Sequence, residues 1–199
     1  MRKLKYSSLV FLFFLISCAG AGAEQWARDP RWARPVSLPG SSNLFEVTPD
    51  FYRSAQTDAE AFKEYEKFGI KTVINLRAFH SDRDEVRGTG LNLIEVPIHT
   101  WSIEDDEVIA ALWHIKNEPG PVMLHCWHGA DRTGTVVAIY RMAFQGWSRE
   151  EALDELINGG YGYHSIWKGI PKYIRSVDID KIKAGALQAE PPDGVSKKR

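Results

Sequence analysis

The sequence predicts a single α/β layered domain, and three observations carry that reading. Short β-branched apolar runs bounded by turn residues alternate with longer segments of helical periodicity, as strands and helices packed in layers require. The 199 residues are 44% hydrophobic and 26% charged and include seven Trp, enough to bury a substantial core as one unit. No internal repeat interrupts the chain, and its Pro-rich stretches lie near the two ends.

The elements follow in order. "LFEV" and "FYRSA" flank "TPD" and form a hairpin, after which Thr57 and Glu60 make a capping box that opens the helix "DAEAFKEYEKFG", ended by Gly69. "KTVINLR" is a buried strand, and "LNLIEVPI", after the charged loop 78–90, is another. Val108, Leu112 and Ile115 share one helical face, and Pro119 to Pro121 break that helix. "VMLHC" is a third apolar strand, followed by a glycine-bearing loop and a helix from about Thr133 to Phe144. Ser148 and Glu151 cap the helix "REEALDELING", and "SIWKGIPKYIRSV" carries a last helical stripe kinked at Pro171.

The ends read differently. Arg2, Lys3 and Lys5 precede "LVFLFFLIS", an apolar run too short to span a bilayer, so residues 1–23 are an export signal. Two cleavage patterns compete. "LISC" resembles a bacterial lipoprotein box and would leave Cys18 acylated as a membrane anchor, whereas "AGA" at 21–23 fits ordinary cleavage and a periplasmic or secreted product. Residues 24–42 are an extended linker or an arm lying on the domain, the folded unit spans about 43–182, and 183–199 form a disordered tail. With 25 basic against 26 acidic residues, the net charge is −1, so nucleic acid is not an expected partner and any affinity for phosphate must be local. A monomer is expected.

There are two cysteines, and one lies in the signal region. An exported domain left with Cys126 alone cannot form an internal disulfide, so that thiol is either inert and buried or chemically used. Its surroundings, "LHCWHGADRTG", place Cys126 at a strand's end and Arg132 at a helix's start. Loop amides and the positive end of the helix favour an oxyanion there, Gly129 allows the tight turn, and the same field stabilises a thiolate. Arg132 can grip two phosphate oxygens at once.

"HCWHGADRTG" matches the HC-x5-R-[ST] signature of the cysteine-dependent protein tyrosine and dual-specificity phosphatases. "FYRSAQ", "GIKTVINLR" and "GYGYH" also resemble segments of small secreted bacterial members of that superfamily, so the resemblance covers most of residues 44–178. It implies a tyrosine phosphatase-like fold, with a central mostly parallel sheet flanked by helices and the phosphate-binding loop between a strand and a helix. It also implies two-step hydrolysis of phosphomonoesters through a cysteinyl-phosphate, with no metal or cofactor. Cys126 would attack phosphorus, Arg132 would hold the equatorial oxygens, Thr133 would assist the leaving thiolate and His125 would support the loop from behind. Trp127, His128, Gly129, Ala130, Asp131 and Arg132 would surround the bound phosphate, carried by a phosphorylated protein or a small phosphoester.

The resemblance also implies an Asp general acid in the loop before the helix that precedes the catalytic strand, here "PIHTWSIEDDEV", with Asp105 first, then Asp106 and Glu104, although acids at a helix start also serve simply to complement its dipole. Asp131 could manage a water or a proton, or orient Arg132 or a neighbouring amide. The loop has no lysine, which disfavours inositol polyphosphates and similar ligands, and His128 could add a donor at acidic pH or pack the loop. The aromatics of 159–167 could receive an aryl phosphate or belong to the core, and Arg77, Arg83 and Arg87 could steer anions or form a solvated face. Two rival readings are a rhodanese-like sulfur transferase, which should have a loop one residue shorter and no such arginine, and a phosphate-binding module without turnover.

Overall fold

The structure is a computed structural model that describes residues 28–192. The signal sequence and Cys18 lie outside the described residues. Six strands, β1 (Arg34–Pro35), β2 (Phe45–Thr48), β3 (Phe51–Ser54), β4 (Thr72–Arg77), β5 (Asn92–Ile98) and β6 (Val122–His125), form one sheet in the order β1-β2-β3-β6-β4-β5. β1, β2 and β3 pair antiparallel, whereas β3, β6, β4 and β5 run parallel.

Six helices accompany the sheet: α1 (Ala59–Phe68), α2 (Asp105–Asn117), α3 (Asp131–Gln145), α4 (Arg149–Asn158), α5 (Gly169–Ser176) and α6 (Ile179–Ala186). The two-residue period of the strands sends adjacent side chains to opposite faces. Tyr52, Val73 and Met123 pack with Phe62 and Tyr65 of α1 on one face. Phe51, Ile74 and Leu124 pack on the other with residues of α2 to α6, including Val108, Ile139, Leu153, Ile170 and Ile182. The central strands β4 and β6 are buried along their whole length, which is why they are mostly apolar and lack the strict alternation of a one-sided sheet.

Several boundaries differ from the sequence reading, each for a local reason. Asp58, not Thr57, caps α1: its carboxylate accepts from the Ala61 amide, while the Thr57 hydroxyl donates to the Gly40 carbonyl. Pro171 does not kink a helix. It sits in the first turn of α5, where a missing N–H costs nothing. Of the two readings of residues 24–42, linker or arm lying on the domain, the described part from residue 28 is the arm: Arg34–Pro35 pairs with β2, Ala33 is buried, and Arg28 donates to the Ala33 carbonyl and the Tyr161 hydroxyl. Residues 183–186, assigned to a disordered tail, are the last turn of α6, with Ala186 buried. Gly185 allows this: a Cβ there would fall 2.8 Å from Ile109 Cγ2 of α2.

Candidate active site

β6 ends at His125, the loop 126–130 follows, and α3 starts at Asp131, so the loop lies against the N-terminal end of a long buried helix. Cys126 is buried. Gly129 has φ +68°, and a Cβ would lie 2.6 Å from the Ala55 nitrogen and closer still to the Ser54 carbonyl. Only glycine fits where the loop crosses β3 this closely.

Four successive loop carbonyls are held from outside. His125 Nδ1 lies 3.2 Å from the Cys126 oxygen, the Gln56 amide donates to Trp127 O at 3.0 Å, Asn43 Nδ2 to His128 O at 2.8 Å and Arg53 to Gly129 O at 2.6 Å. In a trans peptide the N–H points opposite to the carbonyl, so these anchors turn the amides of residues 127–130 inward. That is an anion nest built by neighbours the loop sequence does not contain. Asn43 also donates to Tyr161 O at 2.8 Å, tying the nest to the loop after α4.

Behind the nest two buried charged side chains were not anticipated from sequence. Arg53 is fully buried, with its guanidinium 3.7 Å from the centre of the Tyr161 ring. Burial pulls its pKa below the usual arginine value, partly offset by Tyr161, Glu155 and Cys126. Asp82 is also fully buried. Its carboxylate lies 2.8 Å from His125 Nε2 and accepts from Gln56 Nε2 at 2.9 Å and from Arg77 at 2.6 Å. Burial raises the Asp82 carboxyl most, but His125, Gln56 and Arg77 together outweigh it and hold the group below the ordinary carboxylate range. The sequence signal for Arg53 and Gln56 was their place in "FYRSAQ"; Asp82 was hidden among the charges of the 78–90 loop.

In front, a cavity of about 240 Å³ is lined by Arg132 and Arg77, by the rings of Phe79, Trp101, Trp127 and Trp167, and by His80 and His99. Arg132 Nη1 lies 3.4 Å from the Ile98 carbonyl, and its Nε makes no hydrogen bond to another described protein atom. The Thr133 hydroxyl is likewise buried without a protein partner among the described residues, while Ala130 packs in the core. Trp127 is half exposed at the rim, with the Arg77 guanidinium 5.6 Å from its ring centre.

The remaining sequence candidates separate. Asp131 does not hold Arg132: its two oxygens accept from the His164 amide at 2.9 Å and meet His164 Nδ1 at 2.8 Å, pinning the 159–167 loop to the start of α3. His128 is exposed, its ring centre 4.9 Å from that of His164 and tilted against it. Among the described residues, His128, Asp131 and His164 are the group whose metal-ligand atoms converge within 4.8 Å, but the close pairing of Asp131 with His164 already accounts for two of the three. Of the 159–167 aromatics, Tyr161 is core and Trp167 reaches the cavity. Arg83 lies 3.7 Å from Glu95, and Arg87 pairs with Asp84 on the surface.

Asp105 faces away. It accepts from the Tyr173 hydroxyl at 3.1 Å and lies 2.7 Å from Lys181 Nζ, in a cleft with α5 and α6. Burial and the Asp105 carboxylate push the Tyr173 hydroxyl far above its usual range, and the same carboxylate raises the Lys181 ammonium. Glu104 accepts from the Ser102 hydroxyl at 2.8 Å, and Asp106 is exposed at the start of α2. None of the three lines the cavity that holds Arg132.

Comparison with known proteins agrees with this geometry. The model of the tyrosine phosphatase family matches residues 40–183. The dual specificity protein phosphatase TpbA of Pseudomonas aeruginosa is 30% identical over 190 residues, 94% of this chain and 86% of that protein. The crystal structure of TpbA superposes with a TM-score of 0.72 at 31% identity over 81% of this chain and 99% of the other, and a cysteine-to-serine form in complex with pTyr gives the same values. The catalytic core of the PP-IP phosphatase SIW14 from S. cerevisiae, 24% identical with a TM-score of 0.64 over 74% of this chain and 93% of the other, shares the fold.

Proposed function

The chain belongs to the tyrosine phosphatase family, and from that premise we propose that it hydrolyses phosphotyrosine-type aryl phosphates through a covalent phosphocysteine on Cys126. The observation that carries this is the nest: four tied carbonyls aim four amides at the space beside a buried cysteine, with Arg132 in the adjoining cavity. In this reading the Cys126 thiolate attacks phosphorus, the ester oxygen leaves, and Arg132 and the loop amides carry the transition-state charge. Water then cleaves the sulfur–phosphorus bond, with the Thr133 hydroxyl donating to the departing thiolate. His125, Gln56 and Asp82 keep the loop rigid between steps.

The cavity walls support the substrate class. Phe79, Trp101, Trp127 and Trp167 offer apolar faces to an aromatic ring, and the cationic groups beside them are two arginines rather than a lysine cluster suited to a multiply phosphorylated ring. This matches the pTyr named for the TpbA complex, and serine or threonine esters would share the chemistry without the ring contacts. The sequence reading adds export, either with Cys18 as lipid attachment point or through ordinary cleavage at "AGA", and a monomeric state.

The test is hydrolysis of para-nitrophenyl phosphate, phosphotyrosine and phosphoserine peptides by the full chain in EDTA under reducing conditions. We expect turnover that favours the aryl esters, is abolished by Cys126→Ser with vanadate binding retained, and is lost together with binding in Arg132→Ala. A folded protein that binds vanadate but turns over none of the three substrates would instead be a binding module.

A further inference from the structure

A poor leaving oxygen must receive a proton as its bond to phosphorus breaks, from a donor within hydrogen-bond reach. The cavity containing Arg132 is where that oxygen must lie. The titratable side chains on its walls are Arg77, Arg132, His80 and His99, and a guanidinium does not release its proton near neutrality. Asp105, occupied by Lys181 and Tyr173 in another cleft, would have to give up both partners to arrive.

We propose that His99 is the general acid of this phosphatase, an inference that rests on the phosphocysteine reading above. His99 directly follows Ile98, whose carbonyl lies 3.4 Å from Arg132 Nη1, so the imidazole is fixed relative to the guanidinium that would grip the phosphoryl oxygens. It is half-buried, and the rings of Phe79 at 5.4 Å and Trp101 at 4.8 Å hold it at the cavity wall. His80 is exposed and leans on Trp127, at the rim formed by the residue after the nucleophile. The charges facing His99 are Arg132 from α3, Arg77 at the end of β4 and Glu107 of α2, whose carboxyl burial raises above its ordinary range while the charge of the imidazole works the other way. A positive imidazole beside a carboxylate and a phosphate dianion is charge-compensated despite the two arginines.

The step balances. As sulfur bonds to phosphorus, the ester P–O bond breaks and its electron pair takes the proton of the His99 imidazolium, releasing the alcohol or phenol. Neutral His99 then accepts a proton from the water that attacks the phosphocysteine, and the sulfur leaves as thiolate.

The experiment compares wild type, His99→Asn, His80→Gln and Asp105→Asn, each confirmed folded by circular dichroism, on phosphotyrosine peptide and on difluoromethylumbelliferyl phosphate, whose phenol needs little protonation. We expect His99→Asn alone to lose about 10²–10⁴-fold in kcat/KM on the peptide, with much less loss in kcat/KM on the activated ester, and to lose the alkaline limb of the peptide's kcat/KM profile with pH. Equal losses on both substrates, no loss, or the leaving-group-dependent loss appearing in His80→Gln or Asp105→Asn would overturn the assignment. A wild type inactive even on the activated ester would count against the phosphatase reading itself.

Discussion

Asp82 is the carboxylate on which the residues behind the loop converge, joining His125, Gln56 and Arg77 with no exposure to solvent. Removing one partner of such a buried cluster leaves the others uncompensated, so Asp82→Asn should cost about 3–5 kcal/mol at neutral pH. Its sign with pH follows from the lowered carboxyl. The charged form is favoured in the folded state, so this stabilisation is fully present above the unfolded carboxyl value of about 3.9 and is lost as pH falls through the lower folded value. Urea unfolding of wild type and variant should therefore show a constant gap from pH 7 to about 5 that closes below about 4; a gap that widens in acid would contradict the assignment. None of this was legible in the sequence, where Asp82 lies 43 positions before His125 amid other charges. His99 is hidden in the same way beside the acids of its loop, because only the fold turns Asp105 to α6.

At the scale of elements, local signals and structure agree wherever the determinant lies within a few residues. The capping box of Ser148 and Glu151 opens α4, Gly69 ends α1 in the left-handed region, and Pro49 and Asp50 link β2 to β3. Where two neighbours compete for one role, the sequence leaves the choice open. Thr57 and Asp58 can both cap, and the close passage of Gly40 takes the Thr57 hydroxyl and leaves the task to Asp58. Asp58→Ala should then lower stability by about 1 kcal/mol, read from the urea midpoint at unchanged slope. An unaltered midpoint would mean that the cap is dispensable. The same competition explains α6. Its residues 183–186, two alanines and a glycine after Lys183, carry no helical stripe of their own until Gly185 meets Ile109 and Ala186 finds the core.

Over the whole molecule, one sheet separates two packed faces, and the reactive loop emerges where the central strand β6 runs out between β3 and β4. Each neighbour contributes to it: β3 supplies Arg53 and the chain leading to Gln56, and β4 supplies Arg77. The N-terminal arm is tied to Tyr161 through Arg28, and the proposed export segment precedes it in sequence. If Cys18 carries lipid, the full chain should sediment with membranes and Cys18→Ala should release it to the soluble exported fraction. Recovery of both in the soluble fraction would favour ordinary cleavage. By itself the sequence determined the α/β class, the strand–loop–helix holding Cys126 and Arg132, and the family, because those signals are local: periodicity, caps, and a nucleophile and cation six residues apart. Only the tertiary structure decided what anchors the loop and which titratable groups share its cavity. Asn43, Arg53, Gln56, Asp82 and His99 reach the site through strand pairing and sheet twist, contacts whose partners lie tens of residues away and leave no pattern in the intervening sequence.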